Sequence, residues 1–463
     1  MRRNYPRRGG LLESRYPFAY LSHRGRRHSR IEARANASSR GDRAVRRCRE
    51  VFGQLHSMDP GADKMSRRRV AKKKLLAVRW TGPVLNSSRT PAAPAIDLSA
   101  LADYVAQFSA KTIVLLGDFV ADEFQFGDIS RVSREAPVLI LRHNHTHLVP
   151  GGGANAANNF AALGARVLPV TVVGDDAAGD KLREYFQLIG MDVSGIFSAK
   201  NWTTPTKTRF LAGWAHTAGQ QVLRVDREPS APLPENIRAK LQSALAVKLR
   251  KADALAVSDY GFGVATPALV RKARAQRKAK FVITLDARRN LHGYAKSQIT
   301  SATPNEAEVE ALHHAAIGAN VAELQRCAQS TQGLMKLQSL LVTRGRDGMA
   351  LFEDANRVTH IPIHGAAQAV DVTGAGDTVL AAYTLALACG APPLEAAHIA
   401  NIAGGLVVMK RGTATISQKE LLDAIRQEIL AEPAEQRVYD APLHPKTGAT
   451  PLRKALRSKK DQA

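Results

Sequence analysis

Asp371-Val-Thr-Gly-Ala-Gly-Asp-Thr378 runs straight into an apolar stretch, and its reading decides the fold. Gly374, Ala375 and Gly376 are small, so their backbone N–H groups can converge on one point at the start of a helix. Aligned amides and the positive end of the helix together make an anion site. Asp377 would sit in the first helical turn, beside whatever anion is held there. A carboxylate next to an anion is repulsive, so this placement calls for a reason, and proton abstraction from an attacking hydroxyl supplies one. Phosphoryl transfer needs in-line positioning, charge neutralisation and a base near the nucleophile. A glycine-rich turn alone would read equally well as a plain helix start; Asp371 and Asp377 at these offsets favour the catalytic reading. The chain has no GxxxxGK[ST] sequence and no HRD or DFG set, which disfavours P-loop and protein kinases.

Upstream of this turn, short apolar runs alternate with helix-like segments. The runs are 112–116, 167–173, 254–257, 281–285 and 340–343, rich in Val, Ile and Leu. They have the length and composition of buried parallel strands. Segments 155–163, 178–189, 234–249, 267–277 and 306–313 read as crossover helices, and mainly helices follow Gly374, including 377–389 and 393–409. Such alternation predicts a doubly wound α/β sheet. Two stretches break the rhythm: 136–148 and 206–226 alternate side chains with period two, as half-exposed strands of a small separate sheet do. A small sheet inserted over a cleft is a natural lid. His143, His145 and His147 would share one face of such a strand; without carboxylate or Cys partners at ligand spacing, an exposed polar face is the better reading than a metal site.

Of the 463 residues, 44% are hydrophobic and 23% charged, enough for a full core. The net charge of +25 is confined to the ends: residues 1–90 hold 24 Lys/Arg against 6 Asp/Glu, whereas 91–435 hold 35 against 33. We read 1–95 as a disordered basic extension, 96–430 as one folded domain and 431–463 as a basic tail. Nucleic acid is expected as a partner only through the basic extension. Cys48, Cys327 and Cys389 are far apart and form neither a disulfide framework nor a CxxC pair, so a reducing, cytoplasmic compartment is expected. The sequence has no apolar run long enough to span a membrane.

The DxTGAGD segment resembles the C-terminal signature of the ribokinase/PfkB carbohydrate kinases, and the resemblance covers about 111–425. It implies a ribokinase-like three-layer α/β/α fold with a β lid, ATP and Mg²⁺ as cofactors, and a homodimer joined through the lid. Asp377 is then the base, with the amides of Gly374, Ala375 and Gly376 around the transferred phosphoryl group. Gly117-Asp-Phe-Val-Ala-Asp122 resembles the segment whose acid grips sugar hydroxyls, here Asp122. Gly151-Gly-Gly-Ala-Asn155 resembles the substrate turn, implying Gly151, Gly152 and Asn155 as sugar ligands. Asn305-Glu-Ala-Glu308 resembles the NxxE motif that organises magnesium and phosphate, with Glu308 acting through water. Thr343-Arg-Gly345 with Gly348 resembles the nucleotide-side loop, and Asn401 lies in a segment like the helix flanking adenine. Asp371 and Thr373 are implied as a potassium site.

A narrower resemblance, carried by 117–141, 206–209, 220–228 and Ser258-Asp-Tyr260, is to the bacterial heptose 7-phosphate kinases. It implies phosphorylation of the anomeric hydroxyl of D-glycero-β-D-manno-heptose 7-phosphate. A substrate that already carries phosphate needs cations at its far end; Lys207 and Arg209 are expected there, with Arg224, Arg131 and Arg134 as further candidates. The sequence departs from that pattern at Phe262, where the family has Lys, and at Asp286-Ala-Arg288, where it has Asp-Pro-Lys. Alternatives are a kinase of the same fold for another sugar, sugar phosphate or nucleoside, and a nucleic-acid-binding protein with a vestigial kinase core.

Overall fold

The computed structural model describes residues 96–431 apart from 214–218, 279, 355–356 and 366–368. The extension read at 1–95 and the tail beyond Ala431 lie outside the described residues. In chain order the strands are β1 (Thr112–Gly117), β2 (Phe119–Val132), β3 (Leu139–Gly152), β4 (Arg166–Gly174), β5 (Ile196–Ala199), β6 (Thr206–Gly213), β7 (Gln220–Arg227), β8 (Ala254–Asp259), β9 (Val282–Ala287), β10 (Ser301–Ala302), β11 (Ser339–Thr343), β12 (Met349–Asp354) and β13 (Arg357–Ile361). The helices are α1 (Leu98–Ala106), α2 (Gly153–Ala162), α3 (Ala177–Leu188), α4 (Glu235–Leu249), α5 (Pro267–Ala275), α6 (Glu306–His313), α7 (Val321–Met335), α8 (Ala375–Ala388), α9 (Pro393–Val407) and α10 (Gln418–Ala431).

Strand β1 explains the layering. Its Ile-Val-Leu-Leu run is buried throughout, and successive side chains point to opposite faces. Ile113 and Leu115 enter one core, with α1, α2, α3, α8, α9 and α10; Val114 and Leu116 enter the other, with α4, α5, α6 and α7. The sheet is therefore covered on both faces, as a parallel sheet must be. Its order is β13-β12-β11-β10-β9-β8-β1-β4-β5. From β11 to β5 all pairings are parallel, whereas β12 and β13 add antiparallel edge strands. The α8 segment from Asp377 to Ala386 is buried on every side, which suits a helix that is apolar all round and lies in the core. No described helix is long and apolar enough to cross a membrane.

The second sheet has the order β3-β2-β6-β7, with β2 and β6 parallel and the other pairs antiparallel. Only Asp118 separates β1 from β2, so one chain passes from the buried sheet into the lid, and β2 changes from buried to exposed along its length. Two stretches were expected to build this sheet. The structure adds β2, whose mixed Asp, Glu, Gln and Gly content hides its alternation, and divides 206–226 into β6 and β7.

Candidate functional site

Parallel strands that run the same way bring their C-terminal ends to one edge of the sheet, where open α/β sheets bind ligands. Here β1 is followed by Asp118, β8 ends at Asp259 beside Tyr260, β9 carries Asp286 and β11 ends at Thr343. A polar cavity of about 370 Å³ lies at these ends and is closed on the lid side by Asp122, Lys207 and Arg209. A second cavity, of about 240 Å³, is mainly apolar and is bounded by Ile363, Val379, Gly404 and Val408. Thr343, Gly345, Val372, Ala375 and Gly376 border both. The start of α8 is thus the partition between them.

Asp377 faces the polar side of that partition and is 4% exposed. Asn155 Nδ2 donates to its Oδ2 at 2.7 Å, and the Tyr260 hydroxyl donates to its Oδ1 at 3.2 Å. Burial pushes its pKa up to about 6, against the pull of the Asn155 bond, the Arg288 charge and the Tyr260 bond. The preceding Gly374 has φ 80°, and a Cβ there would lie 2.5 Å from Asn155 Nδ2. Both facts demand glycine. No side chain caps α8 at Gly374, and its first-turn N–H groups have no acceptors within the helix.

On the lid side, Asp122 is buried and its Oδ1 accepts from Arg209 Nη1 at 2.8 Å. Gly151 makes room for this carboxylate, since a Cβ there would lie 2.5 Å from Asp122 Oδ2. Gly152 lines the cavity at the N-terminus of α2. Lys207 and Arg288 also line it and lie over the Tyr260 ring, at 5.3 and 4.4 Å from its centroid. Burial lowers the Lys207 pKa, and the like charge of Arg288 adds to the shift.

Several expected residues are placed differently. Asn155 is fully buried, is not among the cavity-lining residues, donates its amide N–H to Asp377 and accepts from Asn159 Nδ2 through its Oδ1. Its amide holds the acid. Arg209 is bound to Asp122 and stacks on Phe124, 5.2 Å from its ring. Arg224 pairs with Asp226 on the exposed β7, and Arg131 and Arg134 lie exposed at the far end of β2 or just past it, so none of these three lines the cavity. His143 bonds to Thr146 and His145 stacks on Phe126.

On the other side of the partition, Thr343, Gly345, Gly348 and Asn401 line the apolar cavity, and Asn401 Nδ2 donates to the Pro362 carbonyl at 2.8 Å. An apolar slot of this kind suits a purine base. Asn305 and Glu308 close a capping box on α6: Glu308 N–H donates to Asn305 Oδ1 at 2.8 Å and Asn305 N–H to Glu308 Oε2 at 2.9 Å. Both line the polar cavity. Among the described residues Glu308 Oε1 has no protein donor, and a hard oxygen of this kind suits Mg²⁺ through water. Among the described residues no group of three or more His, Cys, Asp or Glu could enclose a metal, so the phosphates would have to supply further ligands. Asp371 accepts from the N–H groups of Thr373 and Gly412, each at 2.9 Å. Burial works against its charge, but these bonds bring its pKa below the usual value. The two residues set aside for potassium thus clamp the loop to Gly412, next to the cavity residue Thr413.

The site also contains side chains given no role from sequence. Tyr260 and Asp286 are the main ones; Arg288 had been noted only as a departure. Burial, then the charges of Glu308 and Asp377, pushes the Asp286 pKa well above the ordinary range. Asp118 accepts from the N–H groups of Tyr260, Phe262 and Val264 at 2.8–3.1 Å and so fixes the loop after β8. The available signal was position: each of these residues ends or follows a buried strand.

Comparison with known proteins agrees with this geometry. The model of the pfkB family carbohydrate kinases matches residues 112–420, and the chain belongs to that family. The family is one of enzymes that phosphorylate sugars. Bifunctional protein HldE of Geobacter metallireducens is 39% identical over 314 residues, 67% of this chain and 62% of that protein. Its counterpart in Paramagnetospirillum magneticum is 37% identical over 345 residues, 72% of this chain and 67% of that protein. The chain therefore spans about 62% of the length of the first of these relatives. Arabidopsis thaliana ribokinase, complexed with ribose and ATP, superposes with a TM-score of 0.54 at 21% identity, covering 68% of this chain and 99% of that one. Escherichia coli phosphofructokinase-2 in complex with potassium gives 0.55 at 18% identity, covering 68% and 98%. These two establish the ribokinase-like α/β fold.

Proposed function

We propose that the chain transfers the γ-phosphoryl group of ATP to the anomeric hydroxyl of a phosphate-bearing sugar, D-glycero-β-D-manno-heptose 7-phosphate, giving the 1,7-bisphosphate and ADP. The observation that carries this reading is the position of Asp377 on the partition between a polar and an apolar cavity. The apolar cavity accepts the adenine and the polar one the sugar, so the acid stands where the reacting oxygen must meet phosphorus. Asp377 takes the hydroxyl proton as that oxygen bonds to the γ-phosphorus and the bond from phosphorus to the ADP oxygen breaks. The first-turn amides of α8 receive the charge that develops on the phosphoryl oxygens. Asp122 Oδ2 accepts from a sugar hydroxyl. Magnesium bound with the triphosphate would screen its charge, held by Glu308 and Asn305 through water.

Two observations support a phosphorylated acceptor. The relatives named HldE are 36–39% identical over the kinase region. Lys207 and Arg288 line the polar cavity with no ion-pair partner within 4 Å among the described residues, and the charge of Arg288 lowers the pKa of Lys207, a cost that an anion bound beside both would offset. Arg288 offers the cation that Phe262 cannot. The lid exposes Val138, Leu139, Leu223 and Val225, which supports a homodimer formed through that sheet. The need for ATP supports a cytoplasmic location.

A screen of heptose 7-phosphate, fructose 6-phosphate, ribose and adenosine, read as ADP release, tests the substrate. Heptose 7-phosphate should exceed ribose and adenosine by about 10²-fold or more in kcat/KM, as expected when buried charged groups lose their partner. Equal turnover of ribose would overturn the phosphate assignment, and release of ADP with none of the four would overturn the sugar class.

A further inference from the structure

Tyr260 is 7% exposed and sits directly after β8. Its backbone N–H donates to Asp118 Oδ2 at 2.8 Å, and the same carboxylate takes the N–H groups of Phe262 and Val264. The ring cannot drift, because the main chain that carries it is tied down on both sides. Its hydroxyl reaches Asp377 Oδ1, while Asn155 reaches Oδ2. A phenylalanine would fill the same volume, so the hydroxyl is what distinguishes tyrosine here. Each oxygen of Asp377 thus has one donor, and the plane of the carboxylate is set by two residues from different parts of the chain. A carboxylate oxygen accepts more than one hydrogen bond, so Oδ1 keeps room for an incoming hydroxyl.

We propose that Tyr260 is a positioning residue for phosphoryl transfer: its phenol fixes one oxygen of Asp377 as Asn155 fixes the other, so that the acid meets the acceptor hydroxyl in a single orientation. This rests on the reading of Asp377 as the base. The other charged groups that face Asp377 are Arg288 and Asp286 from β9 and its exit, and Asp122 from the lid.

The test is Tyr260→Phe, which keeps the ring beneath Arg288 and Lys207 and removes only the donor. With the best acceptor of the screen, kcat at pH 7 should fall about tenfold, the scale of one hydrogen bond to a charged group, while KM for the acceptor stays within about twofold. Loss of a donor to the ionised carboxylate raises its pKa, so the acidic limb of the kcat–pH profile should move to higher pH. A merely structural role would lower the thermal midpoint without moving that limb. Unchanged kcat, or a lower kcat with an unmoved limb, overturns the proposal. Asp377→Asn, measured alongside, keeps the two readings apart: if it retains full turnover, the base assignment itself fails, whatever Tyr260→Phe does.

Discussion

The two walls of the polar cavity are built in different ways. The wall on the sheet side is shaped by main chain: the glycine turn before α8, the capped start of α6, and the strand ends tied by Asp118, on which Asp286, Arg288, Glu308 and Asp377 are carried. The lid wall is side chain: Asp122, Lys207 and Arg209 project from β2 and β6, which are adjacent in the sheet but some 85 residues apart in sequence (122 pairs with 207). Backbone amides and a buried acid can serve any hydroxyl acceptor. Charged side chains on strands select one. On the proposed roles, reaction type and substrate choice would be held by separable parts of this molecule, and mutations in each should fail differently.

The largest effect should come from the sheet side. Asp377→Asn should lower kcat by on the order of 10²–10⁴, the usual contribution of a positioned base, and leave nucleotide affinity nearly unchanged by calorimetry. In the parent enzyme the acid is ionised above its pKa of about 6 and protonated below it, so kcat should fall as pH drops through that value. A pH-independent kcat between 5 and 8 would contradict Asp377 as the titrating base. Loss of ATP binding in the variant would instead blur the proposed division between the walls.

The same division explains what could be read from sequence. The sheet-side wall was legible because its chemistry is local. Asp371 to Thr378 spans one turn, Asn305 to Glu308 one helix cap, and each buried strand announces itself as a short run of Val, Ile and Leu. Asp377 was reached from the offsets of Asp371 and Asp377 around the glycine turn and from the resemblance of that segment to the family signature. The lid wall was only half legible. The strand β2 has the alternation of a half-exposed ribbon, yet its polar side chains and Gly127 look like a loop; its register with β6 is a long-range fact. The pairing of Arg209 with Asp122 follows from that sheet, as does the place of Arg224, opposite Arg209 on the edge strand β7 and outside the cavity lining. Asn155 was assigned to the sugar, because nothing in a GGGAN segment shows that α2 packs against α8 and brings its amide to an acid 222 positions later. The antiparallel hairpin β12–β13 was unread for a simpler reason: short segments at the edge of a sheet carry weak periodic signals; the 15-residue helix α7, as long as α4, was passed over although it packs into the core.

On the lid side the effects should be intermediate and tied to the acceptor. Lys207→Ala on β6 should raise KM for a sugar phosphate by about 10- to 100-fold, the loss of one charge-assisted contact, and Arg288→Ala, its companion cation across the cavity at the exit of β9, should do the same, with kcat changed by less. Turnover of a neutral sugar, however slow, should be unaffected. Steady-state kinetics with a phosphorylated and an unphosphorylated acceptor would check this. A fall in kcat equal for both acceptors would mean that these cations act on the triphosphate, and the separation of the walls would be lost.

The smallest effect on chemistry should come from the face of the lid farthest from the reaction. Leu223 is 55% exposed and Val225 42% exposed on β7, beside a groove lined by Phe126, Val138, Leu139 and Phe210. A sheet that faced only water would carry polar side chains at such positions. A second copy of the same lid would cover this apolar surface symmetrically, and a charge placed at its centre would have to be desolvated there at a cost of several kcal/mol. Leu223→Lys should therefore shift the mass measured by light scattering at micromolar concentration from dimer to monomer. Neither Leu223 nor Val225 lines the polar cavity, so kcat should stay within about threefold of the parent, less than one hydrogen bond to a charged group contributes. A parent protein that is already monomeric would remove the lid dimer. A monomeric variant with its kcat lost would show that pairing of the lids holds Asp122 and Lys207 in place, and the two walls could then no longer be treated as independent.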